Sequence, residues 1–368
     1  MHLRLVADDL TGALDSAACF AARAGQVAVF WAPPAGALPA SAALDIATRE
    51  QDKKATAATA AAFAAALAPT PDTVAFWKLD SLLRGHGATG LAAGLQKLRP
   101  AHCLIAPAFP FQGRITRAGQ QYARDGAGWR PVGEPLHDTL ARHGIVVTLV
   151  RPGDTVPPGV SLWDAETEDD LHQIATAGRA LSGPVLWSGS GGLAALLAGA
   201  PADLDGPFPA PLLGLFGSDH PVTAAQLREA RAHHLPLAGG DAASAAGLAA
   251  RLTATGTALA SFDLPAGTDR VAAAAWIDRE LSALLPRLAP PRTLVVAGGE
   301  TLRAICTALG ATHLEVRGQL QPGVPCSIMR GGAWDGVVVV SKSGAFGAPD
   351  LLRRIADNIE QNSKEPGA

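Results

Sequence analysis

The sequence has 368 residues and a net charge of −3, with 48% hydrophobic and 17% charged residues and no run of five like charges. That balance is enough for sizeable cores, and it excludes bulk disorder and a polybasic surface for nucleic acid or anionic membrane. Aromatic residues make up 5% of the chain with a single Tyr, which argues against base-stacking platforms.

Taken in chain order, strand-like runs at 3–7, 27–32, 43–48, 72–79, 102–108, 144–150 and 183–188 alternate with helical patterns at 13–24, 54–68, 87–98 and 167–181. The stretch 199–211 (GAPADLDGPFPAP) is rich in Pro and Gly and predicts a linker. A second alternation follows, with strands near 212–217, 257–262, 293–297 and 336–340 and helices over 222–233, 241–252, 269–286 and 301–309. The pattern predicts an α/β protein of two domains, 1–205 and 210–368, each a mostly parallel sheet flanked by helices. Cys19, Cys103, Cys306 and Cys326 form no C-x-x-C pair, so reduced thiols and a cytoplasmic location are expected. No apolar run reaches 18 residues, and residues 1–20 do not read as a signal peptide.

In open parallel sheets ligands bind beyond the carboxyl ends of the strands, so the residues that follow each strand matter most. The first strand exits into Ala7-Asp8-Asp9-Leu10-Thr11-Gly12. One acid there suffices to cap a helix; two acids with Thr and Gly suit ligand hydroxyls, a base or a metal. The fourth strand exits into Lys78-Leu79-Asp80-Ser81-Leu82-Leu83-Arg84-Gly85, and Arg49 follows the third. Arginine offers a bidentate grip on carboxylate or phosphate and lysine a point charge, while an Asp–Arg pair that merely steadies the loop is the structural alternative. Together these cations and acids suit an anionic, hydroxylated ligand.

Residues 85–90 (GHGATG) match G-x-G-x-x-G, but no acid stands between 91 and 124 to hold a ribose, which counts against a nicotinamide dinucleotide. Ala106–Pro110 with Gly113-Arg114-Ile115-Thr116, and Ser188–Gly192, are further strand exits. In the second half Gly217–Thr223, Gly298-Gly299-Glu300-Thr301 and Ser341–Gly347 follow strands and open helices or loops able to cradle phosphates. There is no P-loop and no protein-kinase H-R-D.

The ordered segments ADDLTGALD (7–15), KLDSLLRG (78–85), APAFPFQGRIT (106–116), GSGGLAALLA (189–198), GSDHPVTAAQ (217–226), GGETLRAICTALG (298–310), LQPGVPCSI (320–328) and SKSGAFGAPD (341–350) resemble the four-carbon acid sugar kinase family. The resemblance implies ATP-dependent phosphorylation of threonate, erythronate or a 3-oxo relative at its terminal hydroxyl, with Mg2+ alongside the nucleotide. It implies an N-terminal sugar-acid domain, a C-terminal nucleotide domain and an active site in the cleft between them. By the same likeness, Asp8, Asp9, Arg49, Lys78, Asp80, Ser81 and Arg84 surround the acid, with Asp9, Asp8 and Arg84 closest to the chemistry. Ser218, Gly298, Gly299, Glu300, Thr301 and Gly344 contact ATP; no metal ligand is assigned. His220 and Ala345 stand where the family has Ser and Gly, and residues 117–150 do not resemble it. The partners expected are two small molecules and, by the ordinary prior, a second copy of the chain. A hydroxy-acid oxidoreductase using NAD(P), or a sugar-acid sensor without turnover, are the alternative readings.

Overall fold

The computed structural model describes residues 1–34, 36–200, 202–204, 206–217, 220–263 and 268–360. The chain divides into two compact units, Met1–Ala202 and Asp203–Ala368. The first unit opens with β1 (His2–Ala7), α1 (Leu10–Ala24), β2 (Val27–Phe30), β3 (Ala42–Asp45), α2 (Lys53–Phe63), β4 (Thr73–Lys78), α3 (Gly87–Leu98) and β5 (His102–Ala106). It continues with β6 (Arg114–Arg117), β7 (Gln120–Asp125), β8 (Gly128–Pro131), α4 (Leu136–Arg142), β9 (Val147–Val150), β10 (Gly159–Trp163), α5 (Glu168–Arg179), β11 (Leu186–Gly189) and α6 (Gly191–Ala198).

Eight strands of this unit pair in parallel in the order β2-β3-β1-β4-β11-β5-β10-β9. Helices cover both faces, so central strands such as β3 and β11 bury every residue rather than alternating buried and exposed positions. The glycine at 94 lets α3 lie directly on β4: a Cβ there would stand 2.3 Å from the Trp77 ring. Glycines of GHGATG likewise serve this packing, Gly90 facing Thr56, Ala60 and Trp77. The segment 117–150, which does not resemble the family, supplies β7 and β8, which join β6 in a three-stranded antiparallel sheet, β6-β7-β8, and then α4 and β9.

The second unit comprises β12 (Phe208–Pro209), β13 (Leu212–Phe216), α7 (Pro221–Glu229), β14 (His234–Leu237), α8 (Ala242–Thr255), β15 (Thr257–Phe262), α9 (Arg270–Leu284) and β16 (Thr293–Ala297). Then come α10 (Gly299–Ala308), β17 (His313–Gln321), β18 (Val324–Arg330), β19 (Val338–Lys342), α11 (Leu351–Asp357) and β20 (Ile359–Glu360). Strands β14-β15-β13-β16-β19 are parallel, and the hairpin β17–β18 adds antiparallel to β19. The predicted linker is partly bound into this unit: Leu204 N–H donates to Gln319 O at 2.8 Å, and β12 pairs with β20. Two further corrections concern α7, which ends at Glu229 rather than 233, and β10, which the pattern misses. Among the described residues, no helix is long and apolar enough to cross a membrane.

Candidate active site

In the N-terminal unit three strand exits meet. Asp9 caps α1, its Oδ1 accepting from Gly12 N–H at 2.9 Å and its Oδ2 from Thr11 Oγ1 at 2.9 Å. The capping reading therefore holds for Asp9, and its Oδ2 also accepts from Arg49 Nη1. The Arg49 fork grips Asp8, with Nε to Oδ2 at 3.0 Å and Nη2 to Oδ1 at 2.9 Å, and Nη2 lies 3.8 Å from Asp80 Oδ1. Backbone bonds set this register: Arg49 N–H donates to Asp8 O and Ile46 N–H to Ala7 O.

Asp80 in turn accepts from Arg84, from Nε at 2.8 Å and from Nη2 at 2.8 Å, and from the Arg84 backbone N–H at 3.0 Å. The loop closes on the Arg49 loop at Gly85. That residue has φ +69°, and a Cβ on it would sit 2.5 Å from Arg49 O, so only glycine fits. Lys78, buried at the end of β4, donates from Nζ to Leu79 O at 2.8 Å.

The electrostatics follow from this crowding. Burial works against the Arg49 charge, yet Asp8, Asp9 and Asp80 outweigh it and hold its pKa above the usual arginine value. Burial raises Asp80 as well, but Arg84 and Arg49 prevail and keep it well below the ordinary carboxylate range. Asp8 is pushed up by burial against the pull of Arg49. Asp15, on α1, is pushed up to about 6 by burial, with Lys78 opposing and Asp9 adding to the shift.

The hairpin of β6 and β7 buttresses the same loops. Buried Thr116 Oγ1 donates to Gln121 Oε1 at 2.7 Å, and Gln121 Nε2 donates to Ser81 O at 2.9 Å and Pro107 O at 3.2 Å. The Ser81 carbonyl is thus held from the side. Arg114, on β6, stands half-buried within electrostatic reach of Asp80 and Arg84.

In the C-terminal unit the exits of neighbouring strands β13, β16 and β19 also converge. Gly298 begins α10 with φ +103° and no side-chain cap, and its N–H donates to Lys342 O at 2.9 Å. Gly217 faces Thr301, a Cβ on it standing 2.7 Å from Thr301 Oγ1. Lys342 Nζ is sunk among oxygens, donating to Thr223 Oγ1 at 3.0 Å, Ser343 O at 3.1 Å and Gly344 O at 3.3 Å. Burial pushes its pKa down to about 8. From α7, Thr223 Oγ1 donates to Gly344 O and buried Gln226 Nε2 to Phe346 O and Ala348 O, so the last loop is clamped by its carbonyls.

Asp8, Asp9, Arg49, Lys78, Asp80, Ser81 and Arg84 therefore share one constellation, and Gly298, Gly299, Glu300, Thr301 and Gly344 belong to a second. Ser218 lies outside the described residues. Sequence reasoning gave no role to Asp15, Arg114, Thr223, Gln226 or Lys342. Arg114 and Lys342 lie within strand-exit segments already noted, while Asp15 follows Asp9 by six positions with nothing local to mark it. Among the described residues no group of three metal-ligating side chains is assembled. The uncapped α10 start and the glycine approaches at 217 and 298 fit a phosphate-bearing ligand, and Mg2+ held largely by phosphates and water needs no full protein cage.

Residues 3–148 match the family described as a sugar-binding N-terminal domain, and residues 213–352 a nucleotide-binding C-terminal domain. The chain is 33% identical to a D-threonate kinase of Cupriavidus necator, over 96% of each chain. It is 31% identical to a D-threonate kinase of Bordetella bronchiseptica, over 98% of each. A solved structure of a Salmonella typhimurium LT2 protein, 20% identical, shares the fold with a TM-score of 0.75 over 96% of this chain and 98% of that one.

Proposed function

The chain belongs to the four-carbon acid sugar kinase family, and we propose that it transfers the γ-phosphoryl group of ATP, with Mg2+, to the terminal hydroxyl of D-threonate or a close four-carbon relative. The observation that carries the reading is the acid cluster locked by Arg49. Asp8, Asp9 and Asp80 are fixed within reach of one guanidinium, a set of hydrogen-bond acceptors that suits a ligand's hydroxyls.

Asp9 is the best-placed acceptor. Its Oδ1 takes one hydrogen bond from the protein and keeps capacity for a second, and its side chain is the more exposed of the two acids at this strand exit, 15% against 8% for Asp8. A substrate hydroxyl donating to Asp9 Oδ1 would be oriented for attack and could leave its proton there. Arg84, exposed on one side while Asp80 holds its fork, supplies positive charge beside the reacting groups. Lys342 and the carbonyl clamps of Thr223 and Gln226 support binding of the nucleotide by fixing the loop Ser343–Ala348. Mg2+, when bound with the nucleotide, would neutralise phosphate charge. Phosphoryl transfer depends on positioning and charge stabilisation more than on covalent help from the protein, which suits a rigid, hydrogen-bonded site.

The test is ADP release by the purified protein with ATP, Mg2+ and a panel of four- to six-carbon sugar acids. Turnover with D-threonate or a four-carbon relative is expected. No turnover with any acid, together with no ATP binding by calorimetry, refutes the proposal.

A further inference from the structure

The acid cluster is poorly suited to the charged end of a sugar acid. Asp8, Asp9, Asp15 and Asp80 lie around Arg49 and Lys78, and both cations are already engaged, Arg49 by three carboxylates and Lys78 by Leu79 O. Hydroxyls fit such a surface; a carboxylate would be repelled.

Arg114 differs from these cations. Its side chain makes a single hydrogen bond among the described residues, from Nη1 to Gln112 Oε1 at 3.0 Å, and no ion pair. A guanidinium carries five N–H donors, and burying one against a neutral partner is unfavourable unless a ligand completes it. Burial indeed works against its charge. The arginine is also held firmly. Phe109 N–H donates to Arg114 O at 2.8 Å and Arg114 N–H to Phe109 O at 3.0 Å. Two residues on, Thr116 joins the Gln121 bridge to Ser81, which sits in the loop carrying Asp80 and Arg84. A binding group needs such support to hold its geometry.

We propose that Arg114 receives the carboxylate of the sugar acid in a forked grip, so that the far hydroxyls of the same molecule lie against Asp8 and Asp9. The assignment rests on the sugar-acid kinase reading and gives the substrate a direction in the site. Residues 114–131, which show no family pattern past Thr116, then act in substrate choice by carrying and bracing this arginine.

The experiment compares D-threonate with its uncharged amide as phosphoryl acceptors for wild type, Arg114→Gln and Arg114→Lys, with a thermal midpoint for each protein. Wild type is expected to favour the acid. Arg114→Gln should lower kcat/KM for the acid by about 10²-fold, mostly through KM, with the amide and the KM of ATP nearly unchanged. Arg114→Lys should fall between, because lysine keeps the charge and loses the fork. A purely structural arginine would depress acid and amide alike. A folded Arg114→Gln, or Arg114→Lys should the first not fold, that retains the wild-type acid-to-amide ratio overturns the assignment while leaving the kinase reading intact. A wild type that phosphorylates no acid overturns the kinase reading and the assignment with it.

Discussion

Replacing Asp15 by Asn is expected to stabilise the protein at neutral pH and to leave it nearly unchanged in acid. The carboxyl is crowded on α1, with Lys78 and Asp9 nearby and Oδ2 2.9 Å from where a Cβ on Gly191 would stand. Its pKa of about 6 in the folded protein compares with about 3.9 in an unfolded chain. Between those values the native state binds more protons than the unfolded one, so stability falls as pH rises from about 4 to 6 and stays lowered above. A shift of about two units corresponds to about 3 kcal/mol, an upper figure because the side chain keeps some accessible surface. Asparagine keeps the shape and never ionises. Thermal unfolding at pH 4, 6 and 7.5 should show the variant's midpoint rising above wild type by several degrees at pH 7.5, with the gap closing toward pH 4. A gap independent of pH, or a variant less stable at pH 7.5, would refute the reasoning. Turnover on the same preparations shows whether this charge is kept for chemistry at the expense of stability.

Three further substitutions probe the scaffold of the site. Arg49→Leu strands Asp8, Asp9 and Asp80 beside one another and should cost about 3–5 kcal/mol at neutral pH, less in acid where the carboxyls protonate; midpoints across pH test this. Gly85→Ala combines φ +69° with a Cβ 2.5 Å from Arg49 O, so it should lose at least about 1–2 kcal/mol and reduce turnover, read by the midpoint and by ADP release. Lys342→Met should raise the KM of ATP by about 10-fold or more without moving that of the acid. Because Lys342 loses its charge near pH 8, wild-type KM for ATP should climb as pH passes that value, and the climb should vanish in the variant.

The fold was legible where the chain repeats one unit. Runs such as Leu212–Phe216 and Thr293–Ala297, buried on both faces, mark parallel strands by composition alone. The antiparallel pieces were not. Strands such as Arg114–Arg117 and Gln120–Asp125 mix charge with one buried face, and His313–Arg330 interrupts its strands with Gly318, Gly323 and Pro325, so neither period stands out. The residue types at each strand exit were equally plain, since they follow directly on apolar runs. Their partners were not, because Arg49 meets Asp8 across 41 positions and Gln121 meets Ser81 across 40. Only the register of β1 against β3 and β4, and the return of the β6–β7 hairpin, determine those pairings.

That difference bears on how a charged residue near a ligand is to be read. Asp8, Asp80, Arg49 and Arg84 largely satisfy one another, and removing one is mainly a loss of architecture felt at every pH where its partners stay charged. Arg114 and Lys342 have no carboxylate within ion-pair distance among the described residues, and burial opposes the charge of each. A fold gains little from a buried guanidinium with one neutral partner unless a ligand completes it, whereas Lys342 spends its three donors on Thr223 Oγ1, Ser343 O and Gly344 O and so bears on a ligand through its loop. On the proposed reading the matched charges build the site and Arg114 is left for what binds. Substitutions of the first kind should therefore register in midpoints, and those of the second kind in KM.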